Sequence, residues 1–190
     1  MYHNKENEGA HMNIAVYLGS SSGNDPIYGK EVYKLGEWIA SNGHTLVYGG
    51  SHMGLMGLCA DGALSKNGHV IGVEPKFFVD AEVQHSSLTE LIVTKNMTER
   101  KARMIELSDA FIAYPGGIGT LEEISEIMSL HNLNHTKCPC IFFNVNHYYD
   151  PMKGLLEHML KEGFVRESTY RKIHFADSIE EIERLLGQSA

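Results

Sequence analysis

Residues 109–123, D-A-F-I-A-Y-P-G-G-I-G-T-L-E-E, combine glycines that can bare backbone amides with a carboxylate set one helical turn beyond them. Phe111, Ile112 and Ala113 read as a buried parallel strand. Pro115, Gly116, Gly117 and Gly119 read as a tight turn, and Thr120 as the opening of an amphipathic helix. A glycine-rich turn from strand to helix leaves N–H groups free at a helix N-terminus, where an anionic group such as phosphate binds. Glycine also permits close backbone approach and positive φ. A phosphate cradle by itself has no need of Glu123, so the pattern points to phosphate binding beside acid–base chemistry. A structural reading competes with this one. Thr120-x-x-Glu123 has the spacing of a capping box, in which both side chains only satisfy helix N-terminal donors.

The elements that must position these residues alternate between strand and helix. Ile14–Leu18, Thr45–Tyr48, Val70–Val73, Leu88–Thr94, the strand at Phe111 and Cys140–Val145 read as strands. Between and after them, 26–41, 54–66, 98–107, a segment to about Leu133, 151–161 and 178–186 read as helices, with an irregular stretch before the last. Such alternation implies an α/β fold, a Rossmann-like doubly wound parallel sheet in a single domain with helices on both faces. Ligands in such sheets bind outside the carboxyl ends of the strands. The glycine-bearing turns at Gly19, Gly49 and Gly116 should therefore gather at one edge.

The chain has 190 residues and a formal net charge of −8, with a pI near 5.7. That balance argues against nucleic acid or an anionic membrane as partner, since both call for a basic surface, and confines a phosphate site to a local pocket. No apolar stretch has the roughly 18 residues of a membrane span. Three cysteines, Cys59, Cys138 and Cys140, cannot all pair, which suggests a reducing, cytoplasmic setting. The start is polar and lacks a signal-peptide core, so residues 1–11 read as a disordered extension or an expression remnant, ahead of a single domain at 12–190. The turn G-S-S-S-G after the first strand is not G-x-G-x-x-G, and G-x-x-x-x-G-K-[ST] does not occur. No cofactor and no metal are expected. In Y-G-G-S-H-M-G-L-M-G, Gly49, Gly50, Gly54 and Gly57 suit either close helix packing or ligand contact.

Y-G-G-S-H-M-G-L-M-G, then M-T-E-R-K-A-R-M (Met97 to Met104), then P-G-G-I-G-T-L-E-E occur in that order within one α/β chain. The set resembles the LOG (LONELY GUY) family of cytokinin riboside 5′-monophosphate phosphoribohydrolases, many of which carry the label "lysine decarboxylase". The similarity runs from about Met12 to the Y-Y-D-P of Tyr148 to Pro151. It implies hydrolysis of the N-glycosidic bond of a nucleoside 5′-monophosphate to free base and ribose 5-phosphate, by a homodimer with its active sites near the subunit contact. It also implies that Arg100 and Glu123 are the residues tied to catalysis. Gly116, Gly117, Gly119 and Thr120 are then assigned to the 5′-phosphate and Ser20 and Ser21 to base or ribose. Met97, on the helix face of Arg100, and Lys101 join the substrate-binding set. If Arg100 stands beside Glu123, its charge should keep that carboxylate ionised. A purely structural ion pair is the competing reading for Arg100.

Two segments depart from the family pattern. Glu74, before Pro75, stands where an apolar residue is expected, and either alters base specificity or is simply exposed. S-L-H-N-L-N-H (129–135) replaces a more aromatic, glutamine-bearing stretch, which makes plain AMP or another monophosphate a plausible substrate. His131 and His135 read as a surface pair rather than a metal site, and Cys138-Pro139-Cys140 as buried thiols. An AMP nucleosidase without a cytokinin role and a non-catalytic nucleotide or phosphoester carrier remain the alternatives.

Overall fold

The computed structural model describes residues 11–81 and 83–187; apart from His11, the expected extension at 1–11 lies outside them. The elements are β1 (Asn13–Tyr17), α1 (Pro26–Ser41), β2 (Thr45–Tyr48), α2 (Gly54–Ser65), β3 (His69–Pro75), α3 (Lys76–Val79), β4 (Glu90–Thr94) and α4 (Met97–Leu107). They continue with β5 (Ala110–Ala113), α5 (Ile118–Asn132), β6 (Cys140–Phe143), a 3₁₀ turn (Val145–His147), α6 (Asp150–Lys161), α7 (Glu167–Tyr170), β7 (Ile173–Ala176) and α8 (Ile179–Gly187). The seven strands form one parallel sheet in the order β4-β3-β2-β1-β5-β6-β7. The chain steps outward from β1 to β4, then returns to the other side of β1 with β5. That reversal opens a crevice beyond the carboxyl ends of β1 and β5.

Period-two alternation along β1 divides the core between two faces. Ile14 and Val16 pack with Val32, Leu35 and Ile39 of α1, with Cys59 and Ala63 of α2 and with Ile182 of α8. Ala15 and Tyr17 pack on the other face with Met104 of α4, Ile124 and Ile127 of α5 and Leu156 of α6. With both faces covered, the central strands carry no exposed position, and their sequences read as unbroken apolar runs. Asp25 opens α1 by accepting the Ile27 N–H at 2.9 Å, with Pro26 at the first helical position.

The sequence reading differs from the structure at four places. Residues 173–176, expected to be irregular, form β7, which pairs with β6 through Cys140↔Ile173 to Phe143↔Ala176. The one-turn helices α3 and α7 were not expected. Helix α5 begins at Ile118 rather than Thr120, with consequences for the site. No described helix is long and apolar enough to cross a membrane.

The Y-Y-D-P segment has a positioning role. The buried Asn144, just beyond β6, donates to Asp150 Oδ1 at 2.8 Å and to Asp177 Oδ1 at 3.0 Å, and accepts the Tyr149 N–H at 2.7 Å. Tyr149 then donates its hydroxyl to Tyr114 O at 2.8 Å, and Tyr148 donates to Gly116 O at 2.5 Å. The two tyrosines thus tie the end of β6 to the turn that follows β5. Replacing Asn144 with Ala leaves the buried Tyr149 N–H without its acceptor, and should lower stability by roughly 1–3 kcal/mol in urea unfolding.

Candidate active site

The turn after β5 and the start of α5 form the candidate anion site. Helix α5 is entered from Gly117, with no side chain capping it. The first helical bond is that of Leu121 N–H to Gly117 O at 3.1 Å, so the N–H groups of Ile118, Gly119 and Thr120 have no intrahelical acceptor. Thr120 is therefore the third helical residue and Glu123 the sixth, which removes the capping-box reading of their spacing. Gly116 is required by contact. A Cβ there would stand 2.2 Å from Thr120 Oγ1 and 2.8 Å from Gly19 N, so a side chain would push apart the turns after β1 and β5.

Glu123 and Arg100 meet across α4 and α5. Arg100 Nη1 donates to Glu123 Oε1 at 2.5 Å, and its Nε–H donates to Val73 O at 3.0 Å, pinning the guanidinium to the end of β3. Both residues are buried, Arg100 at 7% exposure and Glu123 at 8%. The guanidinium reaches this place because residue 49 has no side chain: a Cβ on Gly49 would lie 2.5 Å from Arg100 Nη2. Gly54 and Gly57, by contrast, serve packing, since a Cβ on either would stand within 2.2 Å of Ser20 O or 2.0 Å of His52 O. Burial pushes the Glu123 carboxyl above its ordinary range, opposed by the charge and hydrogen bond of Arg100 and raised further by Glu122. Arg100 acts in the expected direction, toward the ionised form, while desolvation outweighs it in setting the direction of the shift.

A cavity of about 410 Å³ connects these groups. Among its lining residues are Ser20, Met97, Arg100, Gly117, Gly119, Thr120 and Glu123, all expected from the sequence. Gly116 lies just behind the lining, holding the turn. Ser21 is exposed and outside it. Lys101 also differs from expectation: it pairs with Glu122 and, at 3.1 Å, with Glu126, away from the cavity. Tyr17, Met53, Phe78 and Val83 line the cavity too, and nothing in their spacing marked them. Glu74 is neither exposed nor peripheral. It lines the same cavity at 1% exposure, and burial raises its carboxyl above the ordinary range against the charges of Arg100 and His52.

The histidine pair is corrected as well. His131 is buried, at 2% exposure, and donates Nε2–H to Cys138 O at 2.9 Å, while His135 is exposed. Among the described residues no three His, Cys, Asp or Glu side chains gather as a metal site would need. Cys59 and Cys140 are buried and their thiols pushed up to about 12, whereas Cys138 is half-buried.

A family model described as "Possible lysine decarboxylase" matches residues 56–186. Over 168 residues the chain is 41% identical to the cytokinin riboside 5′-monophosphate phosphoribohydrolase of Rhodococcoides fascians, covering 88% of this chain and 85% of that protein. It is 39% identical over 169 residues to the cytokinin riboside 5′-monophosphate phosphoribohydrolase LOG of Oryza sativa subsp. japonica, covering 89% and 70%. Among solved structures it resembles the molybdenum cofactor binding protein from Rippkaea orientalis, with TM-score 0.71, 26% identity and coverage of 94% and 97%. The chain belongs to the LOG family of cytokinin riboside 5′-monophosphate phosphoribohydrolases. The decarboxylase description implies pyridoxal phosphate held by a lysine Schiff base. The cavity does not fit that group: none of its lining residues is a lysine, and the neighbouring Lys101 is engaged by two glutamates.

The electrostatic balance at Glu123 is directly measurable. In Arg100→Met the opposing charge and hydrogen bond are gone, so the Glu123 pKa should rise further, read by carboxyl ¹³C titration of labelled protein. A pKa that falls or stays would show that Arg100 does not face Glu123 in solution.

Proposed function

We propose that the chain hydrolyses the N-glycosidic bond of an adenosine 5′-monophosphate, plain or of cytokinin type, releasing the free base and ribose 5-phosphate. The observation that carries this reading is the buried Arg100–Glu123 pair opening onto the same cavity as an uncapped helix N-terminus. A carrier of phosphoesters needs only the cradle; a buried carboxylate held by an arginine serves bond cleavage.

The 5′-phosphate docks on the N–H groups of Ile118, Gly119 and Thr120 with the Thr120 hydroxyl, and the dipole of α5 favours its charge. Ribose then lies over the ends of β5 and β1, and Glu123, three to five residues beyond the cradle along α5, reaches its anomeric face. As the C–N bond lengthens, positive charge develops on the ribose ring. The ionised Glu123 stabilises that charge and either orients water or attacks the anomeric carbon. Arg100 fixes the carboxylate through Oε1 and favours its ionised form against the cost of burial. Ser20, at the carboxyl end of β1, is placed for ribose or base.

The active form is proposed to be a homodimer with its sites near the contact. Met97 and Ile118, exposed at the first turns of α4 and α5, both line the cavity, so a partner covering them would close its mouth. The molecule is proposed to work in the cytoplasm, without cofactor.

Incubation with AMP and isopentenyl-AMP, with the free base followed by chromatography, tests the reading. Wild type should release base from at least one of them, and Glu123→Gln should be slower by on the order of 10²–10⁴-fold. AMP that raises the melting temperature without being cleaved would make the protein a carrier. The acid limb of the rate profile should lie above the ordinary carboxylate range, because activity falls as Glu123 takes up a proton and burial raises that pKa. A flat profile from pH 5 to 8 would remove Glu123 from the ionised role.

A further inference from the structure

Glu74 occupies the carboxyl end of β3 and lines the cavity. Its Oε2 is buried and has no hydrogen-bond partner. Buried carboxyl oxygens are almost always satisfied, because an unmet one costs about 1–3 kcal/mol. No nearby side chain bonds this oxygen. Arg100 gives Nε to Val73 O and Nη1 to Glu123, and His52 donates Nδ1–H to Val83 O at 2.8 Å. Room for the Glu74 side chain is kept by Gly50, whose φ is +89° and where a Cβ would stand 3.2 Å from Glu74 Cβ. This carboxyl shares the cavity with the apolar side chains of Met53, Phe78 and Val83, and its Oε2 is left unpaired.

The carboxyl has a place relative to the phosphate. From β5, which carries the anion cradle, the sheet runs β1, β2, β3. Three steps of about 4.8 Å put Glu74 roughly 14 Å from the cradle. A nucleoside monophosphate laid along the sheet edge, phosphate at α5 and ribose at Glu123, brings the far edge of its base to β3. The wall is a fixed part of the fold. The loop after α3 is tied to the turn after β2 by an isolated Ser51–Gln84 bridge, by His52 N–H to Val83 O at 3.0 Å and by His85 N–H to Gly50 O at 2.8 Å.

We propose that Glu74 is a specificity-determining residue, whose carboxyl accepts an N–H from the exocyclic amino group of the base between Met53, Phe78 and Val83. The inference rests on the nucleoside monophosphate reading and names the feature of the base that is selected. An amino-bearing purine satisfies Oε2; a purine with hydrogen in place of the amine leaves it unmet. A singly alkylated amine keeps one N–H and remains acceptable.

The test compares AMP with purine riboside 5′-monophosphate, which lacks only the amino group. Affinities are measured by calorimetry in Glu123→Gln, which holds ligand with cleavage slowed, and again after adding Glu74→Leu or Glu74→Gln. AMP should bind on the order of tenfold tighter than the analogue. Glu74→Leu should erase that preference by weakening AMP alone, and Glu74→Gln should keep it, because the amide oxygen still accepts. Equal affinities at the outset, an equal loss for both ligands in Glu74→Leu, or a preference that survives Glu74→Leu would each overturn the proposal. Failure of the hydrolase reading shows separately, as no base released by wild type, and leaves the binding comparison intact.

Discussion

The contact between Arg100 and Glu123 is the constraint around which the site is arranged. Two opposite charges taken from water cost more than their attraction returns unless hydrogen bonds complete the pairing. Arg100 meets that condition by bonding Glu123 on one side and the Val73 carbonyl on the other. Three elements, β3, α4 and α5, are thereby held in one relation. The guanidinium crosses the end of β2 to do so, and only glycine at position 49 leaves it the space. Substituting an apolar pair of similar volume could give an equally stable fold, but one without an aimed carboxylate.

The topology puts that pair where a ligand can reach it. Because the strand order reverses between β1 and β5, the turns after these strands are neighbours, and Gly19 and Gly116 touch. The anion cradle and the carboxylate belong to the same helix, so their separation is set by α5. What remains adjustable is the entry angle of the turn, and that is held from β6 through Asn144, Tyr149 and Tyr148.

The sequence carried the parallel sheet and the cavity's reactive end because those depend on local signals: apolar runs, glycine turns, and a helix face holding Met97, Arg100 and Met104. It lost β7 because I-H-F-A is four residues long, too short for a period to show, and its partner β6 is what makes it a strand. Thr120 and Glu123 looked like a capping box because spacing alone does not say where a helix starts, and α5 starts two residues earlier. His131 read as exposed because its burial comes from the segment around Cys138 folding back over the helix end. The walls at Met53, Phe78 and Val83 come from three separate segments brought together by tertiary structure, so no single motif contains all three. The desolvation at Glu123 was missed for a related reason, since enclosure is a property of the assembled site.

The charge balance of the cavity explains why the phosphate end is built from backbone. Among its lining residues the cation is Arg100, set against the carboxyls of Glu74 and Glu123. Both carboxyls have their pKa values raised by burial, and Arg100 is already bonded to one of them. A cavity so composed has no free side-chain cation for a dianion, and Lys101, the nearest candidate on α4, is held outside by Glu122 and Glu126. On the proposed function, phosphate affinity then comes from neutral donors: the open amides of α5, its dipole and the Thr120 hydroxyl. Under the proposed mechanism, keeping lysine out has a chemical use as well. A mobile ammonium beside Glu123 would compete with the developing ribosyl cation for the same carboxylate, whereas a guanidinium fixed at Val73 binds that carboxylate in one place.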